Sequence, residues 1–257
     1  MALLAVTAVA LLGVGRRLFT DRRRSEAKVQ NVPDLLQLPP LRRRSRDPEY
    51  PCSAYLDGSE GGFVDAVRRW RTRLVLGSRA SSDALPPTHV GGDLGDVRAQ
   101  GVVMVVGIGP AAPTRVAGMN LALALGQLSR TLFIDASGGV APPVPHSVAP
   151  SDVRRIADAP EYWPNGMIHR WSLPQFMRGD PAERWAGLAA ARQQFDWVVL
   201  DVGGGYAVAE VLGGGFPSSA TVALVSGLDV AGVDAACEAC RSALSDPRQL
   251  DGVVVVN

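Results

Sequence analysis

A chain of 257 residues, 47% of them hydrophobic, has material for one α/β domain with an N-terminal appendage. A formal net charge of +1 argues against a nucleic-acid-binding protein, and three cysteines exclude a disulfide framework. The basic residues are unevenly placed, with ten of the 26 falling in the first 46 positions.

Residues 2–15, ALLAVTAVALLGVG, are uninterrupted apolar or small, and RRLFTDRRR follows at once. A helix of this length spans about 21 Å, and Leu18 and Phe19 with snorkelling arginines bring it nearer to a ~30 Å hydrocarbon core. A cleaved signal peptide places its positive charge ahead of the apolar run, not behind it. Arginines on the C-terminal side keep that side cytoplasmic. Residues 1–24 are therefore read as a membrane helix with a basic flank. The other reading is an apolar helix docked on the domain, or the stump of a longer membrane protein.

Residues 25–61, rich in Pro, Arg and polar groups, read as a juxtamembrane linker in which VQNVPDLLQLPPL is a short ordered piece. GFVDAVRRWRTRLVLG then reads as a helix, with Phe63, Val67, Trp70 and Leu74 forming its apolar stripe. Its remaining positions carry Asp65, Arg68, Arg69, Arg71 and Arg73. These form either an ordinary solvated face or a subunit-contact surface, where arginines dock on a neighbour's carboxylates. The stretch from Ser78 to Gln100 lacks periodicity and reads as a loop.

From residue 101 onward, strand-like runs alternate with helical ones. VVMVV, TLFID, MIHRWSL, WVVLDV, TVALVS and GVVVV are strands, and 114–129, 181–194 and 230–245 are helices. Residues 62–257 are thus expected to be an α/β domain, a mostly parallel sheet with helices on both faces. Cys237 and Cys240 lie on the last helix with no second ligand pair, and a zinc site needs about four ligands. They read as small residues on a helix face in a reducing compartment. His146 and His169 read as ordinary loop and strand residues.

Ligands of such sheets sit at the carboxyl ends of strands. Three of those ends carry chemistry: Gly107 to Arg115, Asp135 with Ser137, and Asp201. VVMVVGIGPAAPTRVAGMNLALALG has the layout of a strand, a phosphate-binding loop and a helix. Where such a loop carries Gly-Lys-Ser/Thr, this one has Pro113, Thr114 and Arg115. The only lysine in the chain is Lys28, in the leader. Arginine does not replace a P-loop lysine like for like, and Pro113 removes a main-chain donor.

Together these stretches resemble the bacterial tyrosine kinases (BY-kinases) that accompany polysaccharide copolymerases, members of the P-loop (MinD/ParA-like) superfamily. The resemblance runs over nearly the whole length. The N-terminal segment is similar to the last membrane helix and juxtamembrane region of these proteins. DAVRRWRTRL is similar to their ring-forming E-x-x-R-x-x-R helix, with Asp65, Arg68 and Arg71 at the three positions. Gly107, Pro110, Pro113, Thr114 and Arg115 stand in the nucleotide loop, with Asn120, Leu121 and Ala122 matching the helix behind it. TLFIDASGG and FDWVVLDVGGG stand for the two acidic motifs. The departures fall on chemistry: Thr114 replaces the Walker A lysine and Arg115 its Ser/Thr neighbour. Ser137 replaces the second aspartate of the next motif, Gly139 its arginine, and Gly203-Gly204 the Pro-Pro after Asp201. A tyrosine-rich tail after the last strand is missing from this sequence.

The resemblance implies a P-loop NTPase-like fold and a catalytically impaired kinase-like protein. Its role would be that of a scaffold or regulator of exopolysaccharide (capsule) biosynthesis and export at the bacterial inner membrane, with the body on the cytoplasmic side. No cofactor is expected on this reading, and no confident catalytic residue. Its partners would be copolymerase or export-machine subunits, further copies of itself in a ring, and the membrane, but no nucleic acid. One alternative is an active atypical ATPase or tyrosine kinase that binds Mg-ATP, with Arg115 in place of the lysine and Asp135 and Asp201 holding the metal. Another is a ParA/MinD-like placement protein.

Overall fold

Eight strands form one sheet in the computed structural model, which describes residues 35–41, 50–82, 101–109, 111–137, 161–163, 168–173, 176–178, 180–204, 211–212, 220–227 and 232–256. The strands are β1 (Leu35–Leu38), β2 (Gly101–Gly107), β3 (Thr131–Asp135), β4 (Glu161–Trp163), β5 (Ile168–Ser172), β6 (Trp197–Gly204), β7 (Ala220–Ser226) and β8 (Leu250–Val256). Their order across the sheet is β1-β8-β7-β2-β6-β3-β5-β4. Every neighbouring pair is parallel except β4 with β5. The helices are α1 (Tyr50–Asp57), α2 (Gly61–Ser82), α3 (Thr114–Gly126), α4 (Pro181–Arg192) and α5 (Val233–Ala243).

The central strands are apolar at nearly every position because both of their faces are covered. Alternate side chains feed two cores. Met104, Val106, Ile134, Val198 and Leu200 pack with Trp185 and Leu188 of α4 and with Val233, Cys237 and Cys240 of α5. Val103, Val105, Phe133 and Val199 pack on the other face with Tyr55, Phe63, Trp70 and the buried residues of α3. The expected parallel α/β sheet with helices on both faces is therefore the architecture found.

Differences arise where local pattern is short. Within the stretch read as linker, the short ordered piece expected around VQNVPDLLQLPPL contains a strand, Leu35–Leu38 beside Val253–Val256, while Tyr50–Asp57 is an unexpected helix buried through Cys52, Ala54 and Tyr55. Four and eight residues are too few to show a period, so tertiary pairing decides them. Helix α2 runs to Ser82, beyond the loop boundary expected at Ser78. Residues 161–163, outside every strand expected from the sequence, form the antiparallel edge strand. Among the described residues no helix is long and apolar enough to cross a membrane. The 1–24 leader, Pro110, Gly139, His146 and Tyr206 lie outside the described residues.

The thiols of Cys237 and Cys240 are both buried, and burial raises their pKa, that of Cys240 to about 12. Protonated thiols on the apolar side of α5 are inert packing groups, as the spacing implied. Among the described residues no cluster of His, Cys, Asp and Glu could hold a metal ion.

Candidate functional site at the carboxyl edge of the sheet

The loop after β2 turns at two glycines, one with no room for a side chain and one in a left-handed conformation. A Cβ on Gly107 would stand 2.8 Å from both the Ala112 Cβ and the Gly204 Cα, and Gly109 has φ +86°. Glycine reaches such a φ without the Cβ clash that an L side chain meets. The Ile108 N–H donates to the Val225 carbonyl at 2.7 Å, which continues the strand pairing into the loop. The Ala112 N–H donates to Gly109 O at 3.3 Å and the Thr114 N–H to Ala112 O at 2.8 Å. Pro113, at the N-cap of α3, has no N–H and gives no side-chain cap.

Thr114 and Arg115 open α3 and point at different carboxylates. The Thr114 hydroxyl, buried, lies against Asp201 and favours its ionised form. The Arg115 Nε lies 3.7 Å from Asp135 Oδ2. A second guanidinium, Arg170 of β5, approaches the same oxygen at 3.6 Å. Asp135 Oδ1 accepts from the Ser137 hydroxyl at 2.7 Å and from the Ser137 N–H at 3.3 Å. Serine at position 137 therefore serves the neighbouring aspartate as a donor instead of adding an acid.

Asp135 and Asp201 are side by side because β3 and β6 pair in register at these residues. Asp201 is wholly buried; Oδ1 accepts from the Gly203 N–H at 2.9 Å, and Oδ2 has no partner in hydrogen-bond geometry among the described residues. Burial, with the Asp135 charge adding to it, raises the Asp201 pKa to about 7 against the smaller opposing effects of Thr114, Gly203 and Arg115. The bend that brings the Gly203 N–H round is a bulge between β2 and β6, with φ +80° at Gly203. A Cβ there would stand 2.9 Å from the Ser137 Cβ and 3.0 Å from its backbone Cα. Gly203→Ala should therefore cost roughly 1–3 kcal/mol in chemical denaturation, combining backbone strain with a backbone contact that cannot yield. Gly109→Ala, with open space around it, should cost less.

The structure thus brings together Gly107, Pro113, Thr114, Arg115, Asp135 and Asp201. It adds Arg170, which the sequence did not single out. Alternation within β5 could place Arg170 on a face, but only the β3–β5 register puts it beside Asp135. The helix residues Asp65, Arg68 and Arg71 divide between two tasks. Asp65 and Arg68 form an exposed pair at 3.4 Å, of a kind that contributes little to stability. Arg71 instead turns inward, donating to Ala124 O at 3.3 Å and to Gln127 Oε1 at 3.4 Å. His169 packs edge-on to Phe195 with ring centroids 4.9 Å apart. Burial and then Arg130 lower its pKa, as expected of a packed strand residue.

No family model matches the chain, and no curated protein matches it by sequence. Solved structures do match. The chimerical protein CapA2B2 superposes with a TM-score of 0.62 at 13% identity, over 91% of this chain and 98% of that one. The BceF tyrosine kinase domain does so with 0.60 at 18%, over 91% and 97%. The kinase domain of Escherichia coli tyrosine kinase ETK does so with 0.52 at 17%, over 86% and 89%. Likeness at these identities speaks for the fold, and the fold of this chain is that of the bacterial tyrosine kinase domains.

Proposed function

We propose that the chain is a catalytically impaired BY-kinase-like domain that scaffolds or regulates an exopolysaccharide (capsule) biosynthesis and export machine. On this reading it sits at the bacterial inner membrane through its N-terminal helix, with the body on the cytoplasmic side. Copolymerase or export subunits and other copies of the chain are its partners.

The observation that carries the impaired reading is the internal bonding of the loop after β2. A phosphate cradle works by aiming main-chain N–H groups and a lysine at the anion. Here the Ala112 and Thr114 N–H groups are turned onto the loop's own carbonyls, and position 113 is proline. The cation at position 115 is turned to Asp135. A magnesium-bound nucleotide does not fit these residues. Of the two acids that would hold the metal, one faces two guanidinium groups and the other is wholly buried with a pKa near neutrality. No phosphoryl-transfer step follows from such a site.

Calorimetric titration with Mg-ATP and Mg-ADP should be flat, and incubation with Mg-ATP should leave no phosphotyrosine on the chain. In cells, Arg115→Ala should support polysaccharide export as well as the parent chain, while deletion of the gene abolishes it. Micromolar nucleotide binding that is lost in Arg115→Ala would overturn the impaired reading in favour of the atypical kinase.

A further inference from the structure

Helix α1 is held both by burial and by polar ties. It has eight residues, with Cys52, Ala54 and Tyr55 as its buried side chains. A helix this short does not persist unaided. Its ties converge on one face of α3. The carboxamide of Asn120, wholly buried, accepts from the Tyr55 N–H at 2.8 Å and donates to Pro51 O at 2.7 Å and to Val116 O at 2.8 Å. Two turns further on, Gln127 Oε1 accepts from the Tyr55 hydroxyl at 2.6 Å and from Arg71 of α2 at 3.4 Å. One stripe of α3 therefore grips α1 from residue 51 to residue 55.

The opposite end of the same helix is the loop described above. With no side-chain cap from Pro113, the first turn of α3 is positioned by Thr114 against Asp201 and by Arg115 against Asp135. Asn120 lies six residues from Thr114, about 9 Å along the axis. Between them Gly118 seats the helix against Phe133, where a Cβ would stand 3.3 Å from the ring. A close-packed helix of this kind shifts as a unit and does not absorb displacement by bending.

We infer that α3 is a lever that couples α1 to the Arg115–Asp135 cluster at the carboxyl edge of the sheet. Releasing α1 from Asn120 and Gln127 loosens the first turn of α3, and releasing Arg115 from Asp135 loosens α1. Coupling of this sort is one free energy readable from either end. The element that both ends bias is the docking of α1, a local opening at the low end of the protein's stability range. The input it suits is a partner or tether that engages the chain ahead of residue 50. The coupling resides in the fold itself, whether or not the loop binds nucleotide.

Hydrogen exchange measured by mass spectrometry on the full-length chain tests it. Asn120→Ala should speed exchange roughly tenfold or more in residues 50–57 and also in 107–117, with β7 and β8 unchanged as the internal control. Tyr55→Phe, which removes only the tie to Gln127, should do the same to a smaller extent, and it keeps the test alive if Asn120→Ala does not fold. In the reverse direction, Asp135→Asn should speed exchange in residues 50–57. If Tyr55→Phe leaves 107–117 untouched and Asp135→Asn leaves 50–57 untouched, the lever is overturned.

Discussion

Asp201→Asn is expected to stabilise the protein at alkaline pH and to leave it nearly unchanged in acid. The folded-state pKa of Asp201 is about 7, against 3.8 for the unreacted side chain. Below about pH 4 the group is protonated in folded and unfolded chains alike and contributes nothing. Between about pH 4 and about pH 7 the unfolded chain releases the proton while the folded chain retains it, so stability falls as pH rises. Above that window both are ionised and the penalty is complete. A difference of about three pKa units corresponds to roughly 4 kcal/mol at ~1.4 kcal/mol per unit, an upper figure for a buried group. Asparagine is isosteric, keeps the acceptor for the Gly203 N–H and carries no charge. Denaturant titrations of parent and variant across this range should diverge with rising pH and then run parallel. A stability difference that does not change with pH would show that the buried carboxyl is compensated.

Trp70→Ala should be the most destabilising substitution on the α2 side. The Trp70 side chain is wholly buried, and its Nε1 donates at 2.8 Å to Asp251 Oδ2, which also receives Arg73 at 2.8 Å. Truncating a buried tryptophan costs about 3–5 kcal/mol from lost apolar contact and the cavity left behind. In a domain of this size that is a drop of roughly 10 °C in Tm. Trp70→Phe keeps most of the apolar contact and gives up the indole donor, so it should cost only about 1 kcal/mol beyond its volume change. Thermal denaturation of the two variants separates burial from hydrogen bonding. A phenylalanine variant as unstable as the alanine one would assign the effect to the Asp251 contact.

Long, periodic or fully apolar segments were legible in the amino-acid order. β2, β3, β6 and β7 are buried on both faces, so their β-branched runs needed no partner to be recognised. The residues of the site were legible one strand end at a time, since carboxyl ends of parallel strands gather at one edge. What was not legible depends on pairing between distant segments. Arg170 reaches Asp135 only because β5 lies beside β3. Asp251, the second residue of β8, has no local signature of its task, yet it anchors Trp70 and Arg73 of a helix some 180 positions earlier in the chain. Asn120 stands in the Asn-Leu-Ala stretch behind the loop, but its task of tying α1 to α3 has no local signature. In the Pro- and Arg-rich stretch an ordered piece was legible around β1 but not its pairing, and α1 was hidden, because their stability comes from the edge of β8 and the flank of α3.

The place of β1 in the sheet also fixes a direction of approach. It runs parallel to β8, so its first residue, Leu35, lies at the end of the sheet where the parallel strands begin. Leu35 itself therefore lies at the edge opposite to Asp135 and Asp201, at the flank of the sheet farthest from β4. The carboxyl edge that carries Arg115, Asp135 and Asp201 is thereby separated from Leu35 by the length of the strands.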